Sequence, residues 1–310
     1  MGQAMWNLSF TPPTVIEARV LTRMPEAMRR PVRSAWADAN KPGHVVDCLL
    51  EGPCFDRQGQ LYLTDIPHGR ILRVTPSGEW QELTNTGGWP NGIAIHQDGT
   101  LWVTDYRRGL LRIDPNTGAI EELLGHRNSE GFKGLNDLVF DHEGQCYFTD
   151  QGQTGMHNPS GAVYRLRTNG QLDQLLANAP SPNGIALDAT GRFLLLAVTR
   201  GNAVWRGPLL PDGSVSKVGV FRTFFGTSGP DGLAVDADNR LVVAHASLGG
   251  AFVLNARGEV THFVRSPVGQ TITNVAFVPG TSQLVLTDSE QGHVLVADLP
   301  APGLALFSHR

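Results

Sequence analysis

One motif written six times constrains this chain more than anything else in it. The segments EGPCFDRQGQLYLTD from Glu51, NGIAIHQDGTLWVTD from Asn91, NDLVFDHEGQCYFTD from Asn136, NGIALDATGRFLLLAV from Asn183, DGLAVDADNRLVVAH from Asp231 and NVAFVPGTSQLVLTD from Asn274 share one plan. Each starts on a polar residue, runs through apolar alternation into a turn, and continues through a second apolar run toward Thr-Asp or its equivalent. The starts lie 40 to 48 residues apart, the period of a four-stranded propeller blade. In the second repeat GIAI, TLWVT, GLLRI and AIEEL are separated by His-Gln-Asp-Gly, a short loop and Pro-Asn-Thr-Gly, which reads as four antiparallel strands. Leucine-rich units are shorter, and helical repeats need a longer apolar period than two. The 36 glycines and 20 prolines supply the turns that so many short strands require.

The expected fold is therefore all-β: a six-bladed β-propeller with four-stranded antiparallel blades. Each twisted sheet buries both faces against its neighbours, so the first blade must meet the last. The last repeat supplies only three clear strands, and VVDCLL (45–50), TVIEARVL (14–21) and the C-terminal GLALFSH each offer a closing strand. Residues 1–43 are more than one strand needs and are expected to wrap or cap the ring, with the propeller proper over 44–310.

Charge and cysteine content narrow the function. A net charge of −4 from 25 basic and 29 acidic residues, without long runs, leaves no stripe for nucleic acid. No signal-peptide pattern opens the chain and no apolar run reaches membrane-spanning length. The three cysteines, Cys48, Cys54 and Cys146, form no CxxC pair. A cytoplasmic protein acting on a small molecule, without nucleic-acid or membrane partners, is the expectation.

The repeat register places one residue per blade just before the innermost strand: Glu51, Asn91, Asn136, Asn183, Asp231 and Asn274. In a propeller these six surround one mouth of the central channel. All carry oxygen and none is His or Cys, which suits a hard cation such as calcium. Two carboxylates, Glu51 and Asp231, balance a divalent charge. Turn chemistry is the competing explanation, because Asn-Gly and Asp-Gly are common turn dipeptides; Glu51-Gly is not one of them.

With EGP at Glu51, ND at Asn136, SPNG around Asn183 and GPDG around Asp231 in this order, the stretch from Cys48 to Leu299 resembles the SMP-30/gluconolactonase family of six-bladed propeller lactonases. That family shares fold and metal site with the diisopropylfluorophosphatase and paraoxonase groups. The resemblance implies a divalent-metal-dependent lactonase. Glu51, Asn183 and Asp231 would be direct ligands of one divalent cation, calcium first with zinc, manganese or magnesium as alternatives. Asn136 would be a fourth ligand or a substrate-positioning catalytic residue. Asp231 would serve as general base toward water, or as the nucleophile itself. Asn91 and Asn274 would be turn or supporting residues. Sugar-lactone members often carry Arg two residues before the matching Asn, whereas this chain has Gly134, with Lys133 beside it.

Loops between second and third strands share the same mouth. They contribute Tyr106, His157, Arg200 and His245, which with Lys133 form the expected substrate rim. The QGQTGMHNPSG insertion of blade three is the expected lid, and the recurring Thr-Asp pairs are expected to be structural. A phosphotriester or fluorophosphate hydrolase on the same site, a strictosidine-synthase-like propeller and a noncatalytic NHL-type binding propeller are the alternatives. Glu51 and the unequal mouth residues speak against a pure scaffold.

Overall fold

The structure is a computed structural model and describes residues 12–310. Its apolar alternation resolves into six sheets arranged as a six-bladed propeller. The inner strands are Leu50–Phe55, Pro90–Ile95, Leu135–Phe140, Pro182–Leu187, Pro230–Val235 and Ile272–Phe277. Each of them contacts the inner strands of both adjoining blades, and the last contacts the first, so the ring is closed.

The stretch 14–23 closes the ring, and does so with two strands instead of one. Arg19–Arg23 runs antiparallel to His293–Asp298 and completes blade six. Thr14–Glu17 pairs in parallel with Val260–Arg265 and adds a fifth strand to blade five. The chain crosses between the two blades at the buried Ala18. Of the other two candidate closing strands, 45–49 is a loop leading into blade one. The C-terminal residues run beneath the channel: Leu304 N–H donates to Val235, Gly303 N–H donates to Thr281, and Arg57 holds the Ser308 carbonyl at 2.7 Å. Phe307 packs on His96 and Phe140 there. Above this floor lies an apolar cavity of about 320 Å³, walled by inner-strand residues such as Ile95, Leu138, Leu187 and Val235.

The cores sit between blades. Cys54, Tyr62 and Ile71 of blade one pack against Ile93, Val103 and Leu111 of blade two, and equivalent clusters recur around the ring. This burial of both faces is what the hydrophobic patterning demanded.

The repeated Thr-Asp pair has two jobs. Thr64, Thr104 and Thr149 each donate a hydroxyl to the backbone carbonyl of the next blade's mouth residue, Asn91, Asn136 and Asn183 in turn. In blade four, which lacks the pair, Thr199 donates to the carbonyl of Pro230, the residue before Asp231. At the seam between blades six and one, Thr273 and Ser289 both donate to Leu50. The aspartates secure the loop ahead of their own blade: Asp65 accepts from Leu49 N–H, Asp105 from Trp89 N–H and Asp150 from Gly134 N–H. Both roles are local backbone satisfaction, as expected from the repetition.

Candidate functional site

All six inner strands break register at the same place. The shifts fall between Glu51 and Cys54, Pro90 and Ile93, Leu135 and Leu138, Pro182 and Ile185, Pro230 and Leu233, and Ile272 and Val275. A bulge at a strand start re-aims a side chain out of the ladder, and here the re-aimed residues include Glu51, Asn91, Asn136, Asn183 and Asp231. In blade six, against the register expected from sequence, Thr273 takes that place and Asn274 stands one step on, where blade two has Gly92 and blade three Asp137. The glycine that follows most of them is demanded by close approach, since a Cβ on Gly184 would stand 2.1 Å from the Asp231 carbonyl oxygen.

Glu51, Asn136, Asn183 and Asp231 are all buried, between 4% and 8% exposed. Hydrogen bonds orient their side chains. Asn136 donates its amide to Gln151 Oε1 at 2.8 Å, and Gln151 in turn donates to Ser181 Oγ at 2.9 Å. That arrangement leaves Asn136 Oδ1 as the free, accepting end of the amide. Glu51 Oε2 receives Asn274 Nδ2–H at 2.7 Å and the Gly52 N–H. Asn274 is thus a supporting residue for Glu51, one of the two roles left open to it.

The electrostatics centre on three carboxylates. Burial pushes Glu51 up to about 8, aided by the negative charge of Asp137. Burial likewise raises Asp231 well above the ordinary carboxylate range, with the charges of Glu51 and Asp137 adding to it and the Asn183 amide opposing it. Asp137 is raised to about 7 by burial, against hydrogen bonds from the Leu138 and Ile185 N–H groups. None of the three forms a salt bridge among the described residues. Three carboxylates raised by burial, with Asp137 adding to Glu51 and both adding to Asp231, form a place for positive charge.

Asp137 was not among the sequence-predicted site residues. The signal was there: it stands where Gly52, Gly92, Gly184 and Gly232 stand in four sibling repeats. Gln151 and Ser181 carry no sequence signal, because their role depends on a contact between blades three and four.

The donor chemistry fits a hard divalent cation. No three His, Cys, Asp or Glu side chains cluster at metal-binding spacing among the described residues, so a cation here depends on the asparagine oxygens as well. An all-oxygen set of two amides and two carboxylates selects calcium or magnesium over softer metals.

The rim residues divide. Tyr106 is half-buried, with its hydroxyl accepting from Gln153 Nε2 at 3.2 Å. Lys133, His157 and Arg200 are exposed. His157 and Arg200 flank Gly155 of the blade-three insertion, and the Arg200 charge reaches Asp231. His245 differs from the expectation: its ring is fully buried against Phe224 and Phe252, beneath the loop that precedes Asp231. A group enclosed in that way is a packing residue and not part of an exposed substrate rim.

The model of the SMP-30/gluconolactonase/LRE-like region matches residues 49–290. The chain belongs to this family. All four proposed ligands lie inside the matched SMP-30/gluconolactonase/LRE-like region. A lactonase, drp35, from Staphylococcus aureus (strain MRSA252) is 31% identical over 281 residues, covering 82% of each chain. The drp35 lactonase of Staphylococcus saprophyticus is 30% identical over 273 residues, covering 81% of this chain and 80% of its own. Among solved structures, a calcium-binding protein, regucalcin, from Agrobacterium tumefaciens superposes with a TM-score of 0.75 at 20% identity, over 96% of this chain and all of that one. A gluconolactonase from Xanthomonas campestris gives 0.73 at 22% identity, over 94% and 99%. At these identities the SMP-30/gluconolactonase-type structures establish the shared propeller.

Proposed function

We propose that this SMP-30/gluconolactonase-family member is a divalent-cation-dependent lactonase whose active site is the channel mouth formed by Glu51, Asn136, Asn183 and Asp231. The observation that carries the reading is the group of buried carboxylates, Glu51, Asp137 and Asp231, beside an asparagine whose amide is turned to present oxygen. The likeness to lactonases over four-fifths of the chain supplies the substrate class. Glu51, Asn183 and Asp231 hold the cation, calcium by its oxygen donors, with Asn136 as a fourth ligand or as the group that positions the substrate. Bound there, it supplies Lewis acidity toward the lactone carbonyl oxygen.

Asp231 accepts a proton from the water that attacks the carbonyl carbon; the ring C–O bond then breaks and the departing oxygen is protonated, giving a hydroxy acid. Attack by the Asp231 carboxylate itself, followed by hydrolysis of the ester, reaches the same product. Arg200, whose charge is felt at Asp231, and Lys133 favour the anionic product at the rim. Asn274 and Gly52 fix Glu51, while Gln151 fixes Asn136.

The test is turnover of a lactone panel, with a phosphotriester included, followed by pH indicator. Chelation with EDTA abolishes activity, and added calcium restores it. Asp231→Ala loses roughly a thousandfold in kcat while its circular dichroism spectrum stays that of the parent. Activity that survives in chelator, or an Asp231→Ala variant as active as the parent, overturns the proposal.

A further inference from the structure

From the rim geometry we infer that the substrate is a hydroxyl-poor lactone with an apolar substituent, and that Tyr106 is the residue that selects it. The inference rests on the lactonase reading and adds the substrate class. At position 134, two residues before Asn136, no side chain can stand: a Cβ there would lie 2.3 Å from the Tyr106 ring, and the backbone has φ +150°. An aromatic ring from blade two therefore fills the space beside Gly134, two residues before Asn136. No residue at 134 can direct a polar group toward substrate hydroxyls.

Tyr106 is itself braced. Its ring packs on Trp89 at 5.4 Å, Arg107 stacks on Trp89 at 3.8 Å, and Gln153 occupies the Tyr106 hydroxyl. With its hydroxyl oxygen accepting from Gln153 and the O–H left as its one polar donor, Tyr106 offers mainly the apolar face of its ring.

The remaining mouth loops continue this character. Met156 in the blade-three insertion is 71% exposed and Phe225, ahead of Asp231, is 72% exposed. Val45 ahead of blade one and Val268 ahead of blade six are also exposed. The opposite face carries fewer: Leu210, in the blade-four turn between third and fourth strands, and Leu306 in the C-terminal segment. Solitary exposed apolar residues need no explanation, but four on the loops of one face, around the proposed site, favour apolar ligand surface. Hydroxyls turned toward the Tyr106 ring would meet no partner from position 134, and unpaired polar groups are what specific sites reject most strongly.

The experiment compares two lactones of the same ring size, δ-decalactone with its pentyl chain and D-glucono-1,5-lactone with its hydroxyls, on the calcium-loaded protein. The expected result is a kcat/KM at least tenfold higher for δ-decalactone. Tyr106→Ala should lower that value about tenfold, chiefly through KM, and leave gluconolactone within twofold. Tyr106→Phe, which keeps the ring and loses only the bond to Gln153, should retain the preference. A preference for gluconolactone, or equal losses on both substrates in Tyr106→Ala, overturns the inference and leaves the lactonase reading standing. Turnover of neither, nor of any lactone in a wider panel, removes the lactonase reading and this inference with it.

Discussion

His245 stands where four sibling blades have aspartate, and its surroundings give it a titration signature. Burial lowers it to about 4, well under the ordinary histidine value. Its Nε2 has no partner among the described residues, and its Nδ1 accepts the Ser247 N–H at a long 3.4 Å. Above pH 6.5 the ring is neutral in folded and unfolded chains alike and contributes no pH dependence. As pH falls from 6.5 toward 4 the unfolded chain takes up a proton that the folded chain refuses, so stability drops, by roughly 3 kcal/mol at most. His245→Phe, surrounded by Phe224 and Phe252, is expected to lose that acid penalty. Thermal melts at pH 7.5 and pH 5 check it: the difference between the two pH values should be smaller in the variant than in the parent. This residue also shows what a sequence conceals. A histidine replacing an aspartate reads as added chemistry, and only the packing of two phenylalanines around it shows otherwise. Glu51 was legible for the opposite reason, since glutamate has no turn-forming excuse at its position. Asp137 was legible in principle, because it interrupts a column of glycines.

Between strands, the threonine bonds connect blade packing to the site. The Thr104 hydroxyl donates to the Asn136 carbonyl and accepts the Gly92 N–H at 3.0 Å, so one side chain pins the inner strands of two blades where the proposed ligand begins. Thr104→Val removes both bonds and leaves buried backbone groups unsatisfied, at about 1–3 kcal/mol. Because Asn136 loses its anchor, calcium affinity should fall along with the melting temperature, whereas Thr104→Ser keeps both. Calorimetric titration with calcium, run beside thermal denaturation, separates this outcome from a purely structural one, in which stability falls and affinity holds. The Thr-Asp repetition made a structural role readable from sequence. The common bulge did not, because it depends on which residues face each other across two strands. That bulge turns a row of strand-start residues into a converging set.

For the whole molecule, blade number followed directly from the period, but the manner of closure did not. TVIEARVL reads as one strand, and its division at Ala18 between blades five and six is decided by the two outer strands that wait there. Deleting residues 1–23 should expose the outer edge of blade six and strip the fifth strand from blade five. A melting temperature lower by on the order of 10 °C and association through the bare edge are the expected outcomes, measured by calorimetry and size-exclusion chromatography. An unchanged melting temperature would show that the ring holds without its N-terminal clasp. The opposite end of the chain has a different consequence. The C-terminal residues laid across the floor obstruct one end of the axial passage. On the lactonase reading, incoming ester and outgoing hydroxy acid would then share one threshold, which would tie the pace of departure to the same loops that govern arrival.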